Sequence, residues 1–202
     1  KRSHLTNMTI ELFSPSPNQS LGLAFFDPVV GVKRCVAEQR AIDHLLCRLL
    51  QVEIPPRREH YPDGAPYLPA YPELAISISH CIGCVAVLIT PKEQAPGVDV
   101  EQYREQLCRV ESRYISTEER QRLLSYGTYT EEELRTLLWT AKEASYKIAH
   151  PASGSLLSYQ VEAIDTSAQK LHLVSQEQGR SLTLSYLFRP PYTISFGSQS
   201  RG

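Results

Sequence analysis

The stretch TEEELRTLLWTAKEASYKIA, Thr130 to Ala149, reads as the strongest helix of the chain. Thr130 followed three residues later by Glu133 has the form of a capping box, in which each residue's side chain satisfies the other's backbone amide. Pro151 and Gly154 then close the helix. On its surface Trp139, Glu143 and Lys147 lie one turn apart and share a face, with Lys142 one step round. What stands on either side of this helix decides the fold class.

Working back from it, a helical region runs up to about Tyr126, preceded by a short strand candidate, Val98 to Glu101, that opens after Pro96-Gly97. Further back, Leu74 to Ser79 alternates and Cys84 to Thr90 is almost continuously apolar, which predicts two strands around Ser79-His80-Cys81-Ile82-Gly83. Prolines at 56, 62, 66, 69 and 72 make the region from Arg57 to Pro72 a loop, tightest at Asp63-Gly64. From about Lys33 to Val52 there is neither Pro nor Gly. There Ile42, Leu45, Leu46, Leu49 and Leu50 recur at helical spacing, and the helix ends before Pro55-Pro56. Opposite that stripe, Arg40, His44 and Arg48 fall at i, i+4 and i+8, a solvated polar face or three phosphate-facing groups. The start reads as strands, Met8 to Phe13 and Leu21 to Phe26, separated by Ser14-Pro15-Ser16-Pro17-Asn18.

Beyond the long helix come strands at 156–164, 170–175, 181–188 and 192–196. Strands, helix, strands, helices and strands in that order predict an α+β protein with two halves of similar size. We expect the halves at 1–96 and 97–202, together one compact unit; no repeat or low-complexity segment is legible.

A formal net charge of −1 offers no global field for a polyanion, so nucleic acid is not the expected partner. No apolar run reaches the roughly 20 residues that span a bilayer, and the start does not read as a signal peptide, so a soluble cytoplasmic protein without a membrane partner is expected. Cysteines at 35, 47, 81, 84 and 108 do not form a secreted disulfide framework. Cys81 and Cys84 make a C-x-x-C, but a lone pair cannot complete a four-ligand zinc site, and redox pairs of this kind open a helix where here a strand follows. Buried small apolar residues are the expectation.

In Gly97-Val98-Asp99-Val100-Glu101 the two acids sit at i and i+2, so a strand sends both carboxylates to one face. Side by side they repel. Such a pair is either solvated at a strand end or neutralised by a cation, and hard carboxylate oxygens suit Mg²⁺. Glu143, flanked by Lys142 and Lys147, is either half of an ordinary i, i+4 pair or a third carboxylate beside two cations. The latter is what metal-assisted phosphoryl transfer needs.

GVDVE at 97–101 followed by WTAKEASYK at 139–147 resembles the paired signature of the 4′-phosphopantetheinyl transferase superfamily. Ile78-Ser79-His80 is similar to the family's Ser-His element, Asp63-Gly64-Ala65-Pro66-Tyr67 to its Gly-Lys-Pro loop, and Arg40 with Arg48 to the basic positions of its first helix. Length and strand-rich tail resemble the single-chain, surfactin-synthetase-activating type, which implies two similar α/β halves packed as a pseudo-dimer and acting as a monomer. The resemblance implies transfer of the 4′-phosphopantetheine arm of coenzyme A to a serine of an acyl or peptidyl carrier protein, releasing adenosine 3′,5′-bisphosphate. It implies that Asp99, Glu101 and Glu143 bind Mg²⁺, that Lys142 and Lys147 contact phosphates, and that Glu143 helps deprotonate the serine, directly or through a metal-bound water. Asp99, Glu143 and Lys147 are thereby the catalytic residues, and coenzyme A is held by Arg40, Arg48, Gly64, Ser79, His80, Lys142 and Lys147.

Two positions depart from the family pattern. Ala65 stands where a phosphate-contacting lysine is usual, so that loop is left with backbone donors or shape, and Cys81 stands where a serine is common. Carrier domains are acidic around their serine, which makes Arg104, Leu107, Arg109 and Arg113 candidate contacts. Two other readings stay open from the residues: a non-catalytic module binding coenzyme A or a carrier, and another Mg²⁺-dependent enzyme acting on a nucleotide pyrophosphate.

Overall fold

A computed structural model of the chain describes residues 8–27, 31–125, 127–149, 154–177 and 179–201. The chain divides into two units, Lys1–Pro96 with Ser200–Gly202, and Gly97–Gln199.

In the first unit, β1 (Met8–Ser16) and β2 (Gln19–Phe26) form a hairpin closed where Ser16 pairs with Gln19. Ser14 and Pro15, read above as turn, therefore lie in the strand. The register is irregular between Phe13 and Ser16, which lets the ladder pass Pro15, a residue with no amide to donate. α1 (Arg34–Leu50) follows, then a small hairpin of β3 (Glu59–His60) and β4 (Pro66–Tyr67), then β5 (Leu74–Cys81) and β6 (Cys84–Pro91). The main sheet has the order β1-β2-β6-β5 and is antiparallel throughout. β6 is buried from Cys84 to Thr90, which is why its sequence is a continuous apolar run instead of an alternation.

α1 turns Ala37, Ala41, Ile42, Leu45 and Leu46 into a core with Ala24, Phe26, Ile76, Val85, Val87 and Ile89. Full burial of each leucine contributes about 2 kcal/mol. Gln51, in the left-handed conformation with φ of 56°, ends the helix, whereas Lys33 at its start makes no side-chain cap. The C-x-x-C cysteines are the register pair that closes the β5–β6 hairpin, both buried and neither joined in a disulfide, and burial pushes the Cys84 thiol up. Ile82-Gly83 is the turn, with Gly83 at φ of 79°.

The second unit takes most of β7 (Gln94–Gln102), then α2 (Glu105–Arg109), a 3₁₀ turn at Glu111–Arg113, α3 (Thr117–Leu124) and α4 (Glu131–Ala149). A 3₁₀ turn at Leu156–Ser158 leads to β8 (Tyr159–Asp165), β9 (Lys170–Ser175), β10 (Ser181–Arg189) and β11 (Tyr192–Ser200). The sheet order is β7-β11-β10-β9-β8. The helical region expected up to Tyr126 is broken because Ser116 starts α3 afresh, its hydroxyl accepting the Glu119 amide at 3.1 Å. The strand expected from 156 begins at Tyr159, because Ser155 caps a 3₁₀ turn ahead of it.

The capping box at the head of α4 forms as expected: Glu133 Oε2 accepts the Thr130 amide at 2.9 Å, and Thr130 Oγ1 accepts the Glu133 amide at 3.2 Å. Leu134, Leu137, Leu138, Ala141, Ala144 and Ile148 are its buried apolar positions. The mixed architecture agrees with the α+β expectation. Among the described residues no helix is long and apolar enough to cross a membrane.

Candidate active site

β7 carries the GVDVE stretch along a buried strand, with Val98, Asp99, Val100 and Glu101 all less than 10 % exposed. Gly97 lets it lie there. A Cβ at this position would run into the Ala144 carbonyl oxygen and stand 2.7 Å from Ile148 Cγ1, so only glycine admits so close an approach of β7 to α4. That approach brings Lys147 onto the strand: its Nζ donates to the Val98 carbonyl at 2.8 Å and to Asp99 Oδ1 at 2.9 Å. Glu143, one turn earlier on α4, is half-buried. Trp139, another turn back, packs edge-to-face on Tyr114 with ring centres 5.0 Å apart, so this charged face is partly covered.

Glu101 is held by two donors. Its Oε1 accepts the Gln102 amide at 2.9 Å and its Oε2 pairs with the Arg104 guanidinium. The three acids act on one another. Burial raises the Glu143 pKa most, the charge of Asp99 raises it next, Lys147 lowers it and Glu101 raises it again. Burial also raises Glu101, against its Gln102 and Arg104 bonds, and Asp99 adds to the rise.

Asp99 and Glu101 are turned to Lys147 and Arg104, and among the described residues no three His, Cys, Asp or Glu side chains stand grouped as a ready-made metal centre. The chemistry of the donors nonetheless fits a hard divalent cation. Asp99, Glu101 and Glu143 supply carboxylate oxygens alone, and their three negative charges face the two positive charges of Lys147 and Arg104. One negative charge is left over, and Glu143 is raised by burial first and by the charge of Asp99 next.

Lys142 requires a correction. Expected on phosphate, it is wholly buried, with Nζ 2.6 Å from the equally buried Glu119 Oε2 and a second bond to the Tyr114 carbonyl. One step round the helix from Glu143 takes it into the core, where burial lowers its pKa and Glu119 opposes the fall. Leu107 requires another: it is 3 % exposed and turned inward, so it is no surface contact for a carrier. Arg109 and Arg113 are exposed, and Arg104 is held by Glu101. Reading the sequence placed Arg104 only as a carrier contact, without its bond to Glu101, and missed Glu119 and Tyr114. Arg104 carries a signal, three residues after Glu101, but nothing local marks Glu119 as the partner of Lys142.

The other expected phosphate contacts lie in the first unit. Arg40, His44 and Arg48 are exposed on α1, and among the described residues neither arginine has an acidic partner, whereas Arg34 pairs with Glu38 and Arg58 with Asp43. His80, the last residue but one of β5, has Nδ1 3.3 Å from Glu38 Oε2, and Ser79 beside it is buried. Gly64, at φ of 86°, makes the exposed turn of the β3–β4 hairpin, a conformation that favours glycine. Its amide donates to the Tyr61 carbonyl at 2.9 Å and that of Ala65 to Asp63 Oδ1 at 3.0 Å. The amides expected to replace the missing lysine are thus engaged within the loop, and what the loop presents is shape, including the stacked rings of Tyr61 and Tyr67.

Comparison with curated proteins finds no match. The sequence model of the 4′-phosphopantetheinyl transferase superfamily matches residues 95–196. That span starts at the strand bearing Asp99 and Glu101 and includes all of α4. Covering half of the 202 residues, the match means that the chain belongs to the 4′-phosphopantetheinyl transferase superfamily, whose members use coenzyme A as substrate, act on carrier proteins and typically need a divalent metal.

Proposed function

We propose that the chain transfers 4′-phosphopantetheine from coenzyme A to a serine hydroxyl of an acyl or peptidyl carrier protein, with Mg²⁺ held by Asp99, Glu101 and Glu143. The observation that carries this reading is the approach of β7 to α4 at Gly97, which gathers buried acids in excess beside Lys147. When bound, the ion supplies positive charge for the pyrophosphate oxygens.

Glu143 is the carboxylate suited to take the serine proton, because its raised pKa brings its basicity closer to that of the task. The serine oxygen then bonds to the pantetheine-side phosphorus, the bond from that phosphorus to the bridging oxygen breaks, and adenosine 3′,5′-bisphosphate leaves with the electron pair. Lys147 is 29 % exposed at its side chain, so its ammonium can turn from Asp99 to the phosphate on which charge develops. Arg40, Arg48 and His80 contact the nucleotide's phosphates; that neither arginine has an acidic partner among the described residues supports this. Gly64 and Ser79 contribute shape. The length and the division into two units fit the single-chain, pseudo-dimeric type.

The test is a panel of apo carrier proteins of fatty-acid, polyketide and peptide types, incubated with the protein, Mg²⁺ and coenzyme A and read by intact-mass spectrometry. A gain of one phosphopantetheine on at least one carrier, lost with Asp99→Ala, is the expected result. Carriers unmodified across the panel, or faster release of the bisphosphate without a carrier than with one, would overturn it.

A further inference from the structure

The buried pair Glu119–Lys142 has no part in the transfer just described, yet it joins several elements of the second unit. Lys142 Nζ on α4 reaches Glu119 Oε2 on α3 at 2.6 Å and the carbonyl of Tyr114, just ahead of α3. The other oxygen, Glu119 Oε1, accepts the Val161 amide of β8 at 2.7 Å. Tyr114 carries the connection on, since its hydroxyl donates to the Leu107 carbonyl in α2 at 3.1 Å and its ring meets Trp139 on α4. The segment from α2 through α3 is thereby hung on one ammonium, and that ammonium belongs to the residue next to Glu143.

A pair of this kind is a poor way to gain stability. Taking both charges out of water costs several kcal/mol, so a well-packed apolar pair of the same volume would serve the core as well or better. What the ion pair adds is direction: three fixed acceptor and donor contacts that an apolar cluster would leave free to slide.

We propose that Lys142 and Glu119 are positioning residues, which fix the segment bearing Arg109 and Arg113 against α4 and orient Glu143, and that Lys142 never touches phosphate. The inference rests on the transferase reading, because it assigns the α2–α3 segment to carrier binding. Three variants of the full chain test it. Lys142→Met keeps the volume and strands the Glu119 charge; it lowers the thermal midpoint by about 10 °C, speeds amide exchange across residues 105–124 and raises the KM for the carrier more than the Kd for coenzyme A. Glu119→Gln alone leaves the lysine unpaired and does likewise. The double variant Lys142→Met with Glu119→Gln is neutral and still offers the Val161 amide an acceptor. It regains most of the midpoint, brings the carrier KM back and binds coenzyme A, by titration calorimetry, within about threefold of the parent.

A folded double variant whose coenzyme A affinity has dropped tenfold or more would put Lys142 on phosphate and overturn the proposal. Unchanged exchange at 105–124 in Lys142→Met would overturn it as well, and so would a carrier KM that stays raised in the double variant. If the parent protein modifies no carrier, the transferase reading falls while the midpoint, exchange and coenzyme A binding still decide the role of the pair.

Discussion

Each unit lays one long helix across a sheet, and in each a glycine lies under that helix, but the two contacts differ in kind. A Cβ on Gly22 would stand 3.1 Å from the side chains of Leu45 and Leu49 on α1, which can shift; a Cβ on Gly97 would strike the backbone of α4 at Ala144. The acids differ as well. In the first unit the buried Glu38 is matched on the spot by Arg34 and faced by His80, whereas in the second Asp99, Glu101 and Glu143 outnumber Lys147 and Arg104. One helix–sheet contact is soft and electrically closed; the other is rigid and holds an uncompensated charge. Rigidity and excess charge together are what a cation-binding reaction centre requires, and they occur where the family match falls.

The comparison breaks most sharply in the chemistry. Glu143→Ala should lower carrier modification by about 10³-fold, with the thermal midpoint held or raised, because the variant removes a buried carboxylate in a crowd of like charge. Glu38→Gln, in the matched cluster of the first unit, should cost less than about tenfold and act on the KM for coenzyme A through His80. Equal losses in kcat for the two variants, from mass-spectrometric time courses, would erase the distinction drawn between the units.

Next in size is the glycine pair. Gly97→Ala should destabilise by about 3 kcal/mol in urea unfolding, since α4 or β7 must move as backbone, and transfer should fall with it as Lys147 loses its place on Asp99. Gly22→Ala should stay within about 1 kcal/mol of the parent, because leucine tips can yield and alanine reduces the freedom of the unfolded chain. A mild Gly97→Ala with full activity would show that the close approach is incidental to the site.

Much of this difference was legible in the residues, and some could not be. The capping box, the α1 stripe and the β5 and β6 runs are local patterns, set by periods of 3.6 and 2, and they appear where expected; the strand expected to open after Pro96-Gly97 instead runs from Gln94 to Gln102. Helical spacing also placed Glu143 and Lys147 together. It could not place Lys142, because whether a position one step round a helix meets solvent or core depends on what packs there, in this case α3 with Glu119, twenty-odd residues away along the chain. The contrast between Gly22 and Gly97 was hidden for the same reason: a glycine in a strand is only a letter until the neighbouring backbone is known.

A third contrast concerns tyrosine. The first unit's Tyr61, Tyr67 and Tyr71 are exposed or half-exposed, while Tyr114, Tyr159 and Tyr186 of the second are buried. Burial pushes Tyr159 up to about 12 and drives Tyr114 and Tyr186 higher still. The sign follows from proton counting. Below pH 10 both folded and unfolded chains hold these protons. Above it the unfolded chain releases them and the folded chain does not, so stability falls by about 1.4 kcal/mol per pH unit for each such tyrosine until its folded value is passed. Absorbance at 295 nm should therefore show a late fraction, from these three tyrosines, that appears only as the protein unfolds. Tyr159→Phe, which also removes a buried hydroxyl that has no hydrogen-bond partner among the described residues, should shift the alkaline unfolding midpoint upward. A single titration of all tyrosines near pH 10 in folded protein would show that the second unit is no more tightly closed than the first.

The smallest effect distinguishes the two helices at their starts. α4 opens on the reciprocal Thr130–Glu133 bonds with three glutamates in its first turn, while α1 opens on Lys33 with no side-chain cap and no acid there. Thr130→Ala should cost about 1 kcal/mol, because the Glu133 amide loses its acceptor at an end where the helix dipole offers nothing else. Lys33→Asp should gain about 0.5 to 1 kcal/mol, since the backbone at position 33 is already extended as a cap requires and the new carboxylate meets the positive end of the helix. Both are read as urea midpoints at constant m-value. Should Thr130→Ala prove neutral and Lys33→Asp destabilise, the rigidity of the second unit would have to come from the packing of α4 alone. The cap matters for more than stability: it fixes the end of the helix whose fourth and fifth turns carry Glu143 and Lys147, so its loss should lower transfer slightly before it is visible in folding.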